Sequence, residues 1–441
     1  VKLKPSGVTP TVITLIGFAV AAALVGYLTT EGTYIAALVA SMGVVAAISV
    51  RAPLTLAVLT VPGVMLTQRA PGNISFSDVI TTGVAVLAFL YGAHRLLAPQ
   101  WRRVAAGFVF YFGMLGVTLV VNHSFRSDLE GLHRIEIVLG SILIGAWLVH
   151  NDKQRHALRL LLLVMAIVSV AAAIESVQIG FQPSYPLWFN KNFSGSVFAT
   201  TLLVVLTAPD QFRLPRWLLV TGGVTIAVGL LATQSRGAML GAAVGCAFWF
   251  LRMSPEVRRK YRKLALVVMV AFGAFVYISV DAQLERQRTT TPIDSFTERE
   301  DEAKKTQQLW MDNPATGVGL RYFAQPGFTG YIPPNNVLNE VLAEAGLPGL
   351  VGFLVFVYAS VTGLWRMRSP LATAGLAVVV ARFVHGLVDI YWIGGQSTLP
   401  WLIAGMGLAM QPVASGRAMA ADSEAGPLPA LGPVLPVHRA T

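Results

Sequence analysis

Cysteine is almost absent. Cys246 is the only thiol in 441 residues, which excludes an intramolecular disulfide framework and leaves the redox compartment unread. Charge is also scarce: Asp, Glu, Lys and Arg together make up 12% of the chain, where soluble domains carry about a quarter. That shortage excludes an ordinary water-soluble fold. Apolar residues fill the gap, at 54% of the composition with a mean hydropathy of +0.63. Apolar runs of roughly 17–25 residues recur from end to end, each long enough to cross a hydrocarbon core of about 30 Å. One cleavable leader does not account for so many runs. The opening Val1-Lys2-Leu3-Lys4 leads into the first run without a clear small-residue cleavage site, so that run is expected to be retained.

The fold class expected is therefore an all-α polytopic membrane protein. Hydropathy marks candidate spans at 8–29, 34–50, 53–66, 78–97, 104–121, 134–150, 157–178, 194–208, 216–233, 235–251, 264–280, 337–365, 371–390 and 397–413. Segments 53–66 and 194–208 are short, and 216–251 is two spans joined by almost nothing. The expectation is accordingly 12–14 transmembrane helices within residues 1–413. The formal net charge of +11 resembles that of a nucleic-acid binder, but in membrane proteins excess Lys and Arg collects in cytoplasmic connections. With the N-terminus inside, the inside connections take most of the basic residues, including Arg258, Arg259, Lys260, Arg262 and Lys263. The short outside connections hold Arg69, Arg126, Arg134, Lys191 and Arg236. This bias places both termini in the cytoplasm and residues 281–336 in one long extracytoplasmic loop. Residues 414–441, rich in Ala, Gly, Pro and Ser, are expected to be a disordered cytoplasmic tail.

Four groups of residues stand out as carriers of chemistry. Thr233-Gln234-Ser235-Arg236-Gly237-Ala238 places an arginine between two apolar spans. There it either snorkels at a tight turn or contacts an anion through its planar guanidinium. The loop carries Arg286 and Arg288, then a charged surface helix over Asp294 to Gln308 with Arg299 near its start. A glycine-punctuated turn, Gly317 to Phe323, follows with Arg321 inside it. A connection of this length is commonly functional. Pro333-Pro334-Asn335-Asn336 fixes the backbone before the next span, whose start bears Glu340, Glu344, Gly346 and Gly349. Arg382, His385 and Asp389 share one helical face of span 371–390. Each group also has a plain structural reading: a capped helix start, a solvated charged face, or a polar helix–helix contact.

Taken in order, these pieces resemble the O-antigen ligase/polymerase superfamily of integral membrane glycosyltransferases. The family pattern has a span beginning Ser-Arg-Gly-Ala and an arginine fifteen residues before a Pro. Gly-x-Gly-x-x-x-Phe follows, then His-Asn, nine residues, Gly, two residues and Gly. This chain shows Ser235-Arg236-Gly237-Ala238, Arg299 fifteen before Pro314, Gly317-Val318-Gly319 with Phe323, and Asn335-Asn336 nine residues before Gly346-Leu347-Pro348-Gly349. The resemblance covers roughly 215–365 and departs at one position, where Asn335 replaces the histidine that helps activate the acceptor hydroxyl. An amide has no useful basicity, so the base is sought among His385, Glu340 and Glu344.

What the resemblance implies is a metal-independent, GT-C-like glycosyltransferase of a bacterial plasma membrane. It would ligate or polymerise cell-surface polysaccharide from a polyprenyl-diphosphate-linked glycan onto a hydroxyl of a glycan, lipid or protein. Arg236, Arg299, Asn335 and His385 form the expected catalytic set. Arg321, Asn336, Glu340 and Glu344 are expected to bind substrate. No cofactor, metal ligand set or nucleic-acid partner is expected. A transporter or flippase is the alternative, but its polar residues would concentrate at mid-membrane, and here they lie toward the outer face.

Overall fold

The computed structural model describes residues 51–67, 75–256, 258–259, 295–324 and 334–410, with residues 295–299 and 324 described by backbone alone. The expected spans 8–29, 34–50 and 264–280, the loop segment with Arg286 and Arg288, and the tail from 414 lie outside the described residues. Among the described residues the protein is all-α. Twelve helices follow in order: α1 Pro53–Gly63, α2 Phe76–Leu90, α3 Trp101–Val121, α4 Phe125–His150, α5 Gln154–Gln178 and α6 Lys191–Thr207. Then come α7 Arg216–Thr233, α8 Arg236–Arg252, α9 Ser295–Asp312, α10 Val337–Trp365, α11 Pro370–Gly386 and α12 Thr398–Leu408. Helices α3, α4, α5, α7 and α10 are long and apolar enough to cross a membrane, and α1, α2, α11 and α12 are shorter apolar helices. The chain is a polytopic membrane protein.

Two boundaries differ from the hydropathy reading. Helix α4 starts at Phe125 rather than 134, because the charged turn Arg126 to Glu136 caps and begins the helix through Ser124, whose hydroxyl accepts from the Ser127 N–H. It then passes through one π turn at Glu136–Gly140. Arg134 therefore sits inside a helix, 1% exposed, and not in a short outside connection. Helix α11 ends at Gly386, so Asp389 follows the helix and does not ride on it.

Small residues set the helix packing, as expected where lipid supplies no hydrophobic drive between helices. Gly241 and Gly245 of α8 face the Ala381 and Ala377 carbonyls of α11. Gly107 of α3 meets Ala359 of α10, and Gly375 of α11 meets Ala404 of α12. Large apolar side chains such as Val109, Val120, Ile167 and Val220 point outward, the pattern of a lipid-facing belt. Connections alternate between two faces. One face gathers α9, the turn at residues 313–323, the α7–α8 turn and residues 387–397, and is called the loop face here. The opposite face is closed by Arg252, which donates to the Leu364 and Met367 carbonyls.

Helix α10 is bent at its third turn. Gly346 sits at φ 64°, ψ −167°, a region open to glycine and closed to other residues. Pro348 has no N–H to offer the Glu344 carbonyl, and the Leu347 N–H turns outward to the Pro314 carbonyl at 2.9 Å. The Ala343 and Glu344 carbonyls thus lose their helical partners. The loop and α3 supply replacements: the Val318 N–H donates to the Ala343 carbonyl at 2.9 Å, the Gly319 N–H to the Glu344 carbonyl at 3.0 Å, and the Thr118 hydroxyl of α3 to the Glu344 carbonyl at 2.9 Å. A Cβ on Gly346 would lie 2.7 Å from the Ala315 carbonyl carbon, and one on Gly317 would lie 2.5 Å from the Ala345 nitrogen.

Gly346→Ala should therefore cost the φ/ψ strain of about 1–3 kcal/mol and more from overlap, seen as a clear drop in thermal unfolding temperature in detergent. Gly83→Ala, where a Cβ meets nothing within 4 Å, should leave it unchanged or slightly raised. Equal behaviour of the two variants would contradict the bend as a backbone lock.

Candidate functional site

The loop face is built first from the start of α10. Asn336 is its N-cap, with Oδ1 accepting from the Leu338 and Asn339 N–H groups at 2.9 and 3.3 Å. That occupies the side-chain oxygen in capping, a role that the four orphan donors of a helix start require. Glu340 and Glu344, one turn apart, are 5% and 3% exposed. Glu344 is fully engaged: Oε2 accepts from Arg134 Nη2 at 2.6 Å and Oε1 from the Arg321 N–H at 2.8 Å. Glu340 differs, since its Oε2 is buried without a hydrogen-bond partner.

Helix α4 brings the counter-charge. The Arg134 guanidinium donates to Glu130 Oε1 at 3.3 Å, to the Tyr111 hydroxyl at 2.8 Å and to Glu344 at 2.6 Å. It also lies 4.8 Å over the Trp392 ring. Glu130 in turn receives Arg321 Nε at 3.3 Å. Arg321 adopts a left-handed backbone (φ 59°), which turns its N–H onto Glu344 while its side chain reaches Glu130. Two arginines and two carboxylates thus bind α3, α4, α10 and the glycine turn into one unit, with the remaining lone pairs satisfied as a buried ion pair demands.

A second cluster joins α8 to α11. Arg382 donates to the Ser397 hydroxyl at 3.0 Å and to the Ile390 and Tyr391 carbonyls at 2.6 and 2.5 Å, and it stands 3.3 Å from His385 Nδ1. A guanidinium cannot accept, so His385 Nδ1 is an acceptor and the ring proton sits on Nε2. Nε2 lies 3.3 Å from Asp389 Oδ2. Both ring nitrogens face groups of the protein. The carboxylate of Asp389 also receives Gln396 and Asn192, and Asn192 Oδ1 accepts from the Ser235 hydroxyl at 3.1 Å. Ser235 is the N-cap of α8, and the next residue, Arg236, is exposed at the loop face. Gly237 abuts the imidazole: a Cβ there would lie 2.6 Å from His385 Cδ2.

The third contact is made by Asn335. Asn335 Nδ2 donates to Glu302 Oε2 of α9 at 3.2 Å. Arg299 is three residues before Glu302 in the same helix, hence on the same face by register; its side chain lies outside the described residues. Below this contact, Ala303, Thr306, Gln307 and Trp310 of α9 line an open cleft with Asn339 and Leu342 of α10.

The expected residues are thus distributed over three contacts. In one, Ser235 and Gly237, the neighbours of Arg236, pack on the His385 cluster; in another Asn335 meets the helix bearing Arg299; and Arg321, Glu340 and Glu344 surround Arg134. Sequence reading missed Glu130, His133, Arg134 and Glu302. A signal existed for the first three: Glu130-Gly-Leu-His133-Arg134-Ile-Glu136 puts four ionisable groups at helical spacing directly before an apolar run. Nothing in the sequence pairs Glu302 with Asn335.

Arg134→Met should destabilise the protein by about 3–5 kcal/mol, the usual effect of stranding buried carboxylates. Arg134→Met/Glu344→Gln should recover part of that loss in thermal unfolding. A single variant as stable as the parent would show that the cluster is not structural.

No curated protein matches the chain. Residues 221–354 match the family model described as O-antigen ligase, a stretch running from within α7, through the α7–α8 turn, α9 and the glycine turn, to just past the bend of α10. It contains Arg236, Arg299, Arg321, Asn335 and both glycine pairs. Over this stretch the chain is similar to the O-antigen ligase family.

Proposed function

We propose that this protein transfers or polymerises a glycan from a polyprenyl-diphosphate donor onto an acceptor hydroxyl. In this reading the loop face is extracytoplasmic, both termini are cytoplasmic and the membrane is the bacterial plasma membrane; the support for the orientation is the basic residues on the opposite connections. The observation that carries the reading is the Asn335–Glu302 contact within the family-matched stretch. A carboxylate beside Asn335, the position where the resembled pattern has a histidine, supports an acid–base role for Glu302.

The chemistry follows from that placement. The acceptor oxygen bonds to the anomeric carbon, its proton passes to Glu302, and the bond from the anomeric carbon to the diphosphate oxygen breaks. The departing lipid diphosphate carries developing negative charge, which the guanidinium groups of Arg236 and Arg299 stabilise. Arginine suits this role because its fork matches phosphate oxygens. The role of Asn335 is then to hold the Glu302 carboxylate by its amide N–H. Glu344 is unsuited to act as base because both of its oxygens are engaged, while His385 is buried with Nδ1 facing the Arg382 guanidinium.

Arg236→Ala and Arg299→Ala should each abolish glycan product at unchanged expression; full activity in both would overturn the arginine assignment. Glu302→Gln should slow turnover by about 10²–10⁴-fold, the range of general-base catalysis, and Asn335→Ala less. Glu340→Gln is the discriminating control: if it and not Glu302→Gln stops turnover, the base is the unpartnered carboxyl of α10. Glycan profiling of a deletion strain separates the two transfers, since single repeat units accumulate without a polymerase and long lipid-linked chains without a ligase.

A further inference from the structure

Beside the arginine cluster, helices α2 and α4 bring together a histidine and two carboxylates. Asp78 is the third residue of α2, held by a reciprocal capping box with Ser75. His133 and Glu136 lie one turn apart on α4, and Glu136 opens its π turn; such turns recur at functional sites. His133 Nε2 is 3.3 Å from Asp78 Oδ1 and 3.9 Å from Glu136 Oε2. One ligand atom from each of the three lies within 4.8 Å of the others.

Two further observations point to a ligand. First, the Glu136 side chain keeps 9% of its exposed surface, and neither of its oxygens has a hydrogen-bond partner. A carboxylate buried without partners is costly, and this one is turned toward His133. Second, Glu130 Oε2 stands 3.5 Å from His133 Nδ1, on the other nitrogen of the ring. A metal-bound histidine ordinarily directs its second nitrogen at a carboxylate in this way. The 3.3 Å separation of Asp78 and His133 is also near the edge of a tetrahedron with bonds of about 2.0–2.1 Å. On the far side, Gly394 closes the site: a Cβ there would run into Asp78 and come within 3.4 Å of His133 Nε2.

Charge balance argues the same way. Three carboxylates, Asp78, Glu130 and Glu136, stand within 3.9 Å of the one imidazole of His133, and of these only Glu130 also has Arg134 and Arg321 as ion-pair partners. A dication on Asp78 and Glu136 would offset the excess in a poorly solvated setting.

We infer that Asp78, His133 and Glu136 form a binding site for one divalent transition-metal ion, with Glu130 orienting the histidine. One imidazole and two carboxylates suit Zn²⁺ or a similar ion. The ion ties the start of α2 to α4 and stands behind Glu130, which on its other side holds Arg134 and Arg321. Its role is structural, apart from the arginines that meet the leaving group, and it is independent of the glycosyl-transfer reading.

The test uses the full chain purified in detergent, stripped with a chelator, then titrated with Zn²⁺ and with Co²⁺ as an optical probe. One equivalent bound per chain is expected, with visible cobalt absorption bands and a raised unfolding temperature. Glu136→Gln and Asp78→Asn should each weaken binding by at least tenfold, and Glu130→Gln should do so by about 10–100-fold. Monodisperse elution and an unchanged far-UV spectrum confirm that a variant is folded, and two ligand variants guard against one misfolding. If the folded parent binds neither ion, the cluster is a proton-sharing ion pair and the inference fails. It fails equally if both ligand variants bind as the parent does.

Discussion

The bend in α10 is the constraint on which the loop face depends. Gly346 and Pro348 interrupt the helical ladder inside a membrane protein, where a carbonyl without a partner costs several kcal/mol. The two freed carbonyls must be met by donors from outside the helix. Val318, Gly319 and Thr118 meet them, so the glycine turn is pinned to the bend and to α3. Once pinned, that turn has Arg321 aimed at Glu130 and its N–H at Glu344. The two glycine pairs, read along the chain as separate motifs, are opposite sides of one backbone contact.

The buried charges are arranged around this lock. Arg134 joins three helices, and its guanidinium also covers Trp392, so the turn at 387–397 is held by the same group. Arg382 does the same from the other side, lying 4.8 Å over Tyr391 while donating to two carbonyls of that turn. Beneath both arginines runs an aromatic layer in which Tyr111 stacks on Trp392 and Phe383 on Tyr391. Buried ion pairs of this kind add little net stability and much to uniqueness of arrangement only when every member is satisfied. Here Glu344 and Arg134 are satisfied. Glu340 and Glu136 retain oxygens without hydrogen-bond partners.

Much of the helical frame was legible in advance, because a run of apolar residues long enough to cross a bilayer has few alternatives to a helix. Helices α3, α5, α7, α8 and α10 begin and end within a few residues of the hydropathy spans. Helix α4 was less legible, since hydropathy discounts a charged first turn that the fold then buries. Asp389 was misplaced for a related reason: spacing along an imagined helix continued past Gly386, where the chain leaves the helix and turns back toward His385.

The sequence by itself determined the class, most of the described helices and the order of the motif residues, since these depend on composition and local periodicity alone. Tertiary structure decided which of those residues stand together. It made Asn336 a cap, engaged both oxygens of Glu344, set Glu302 against Asn335, and closed Asp78 onto His133 across 55 positions of chain. Such pairings follow from how bent and straight helices pack, and that packing is set by glycines pressed on backbones and by charges that must find partners in a medium without water.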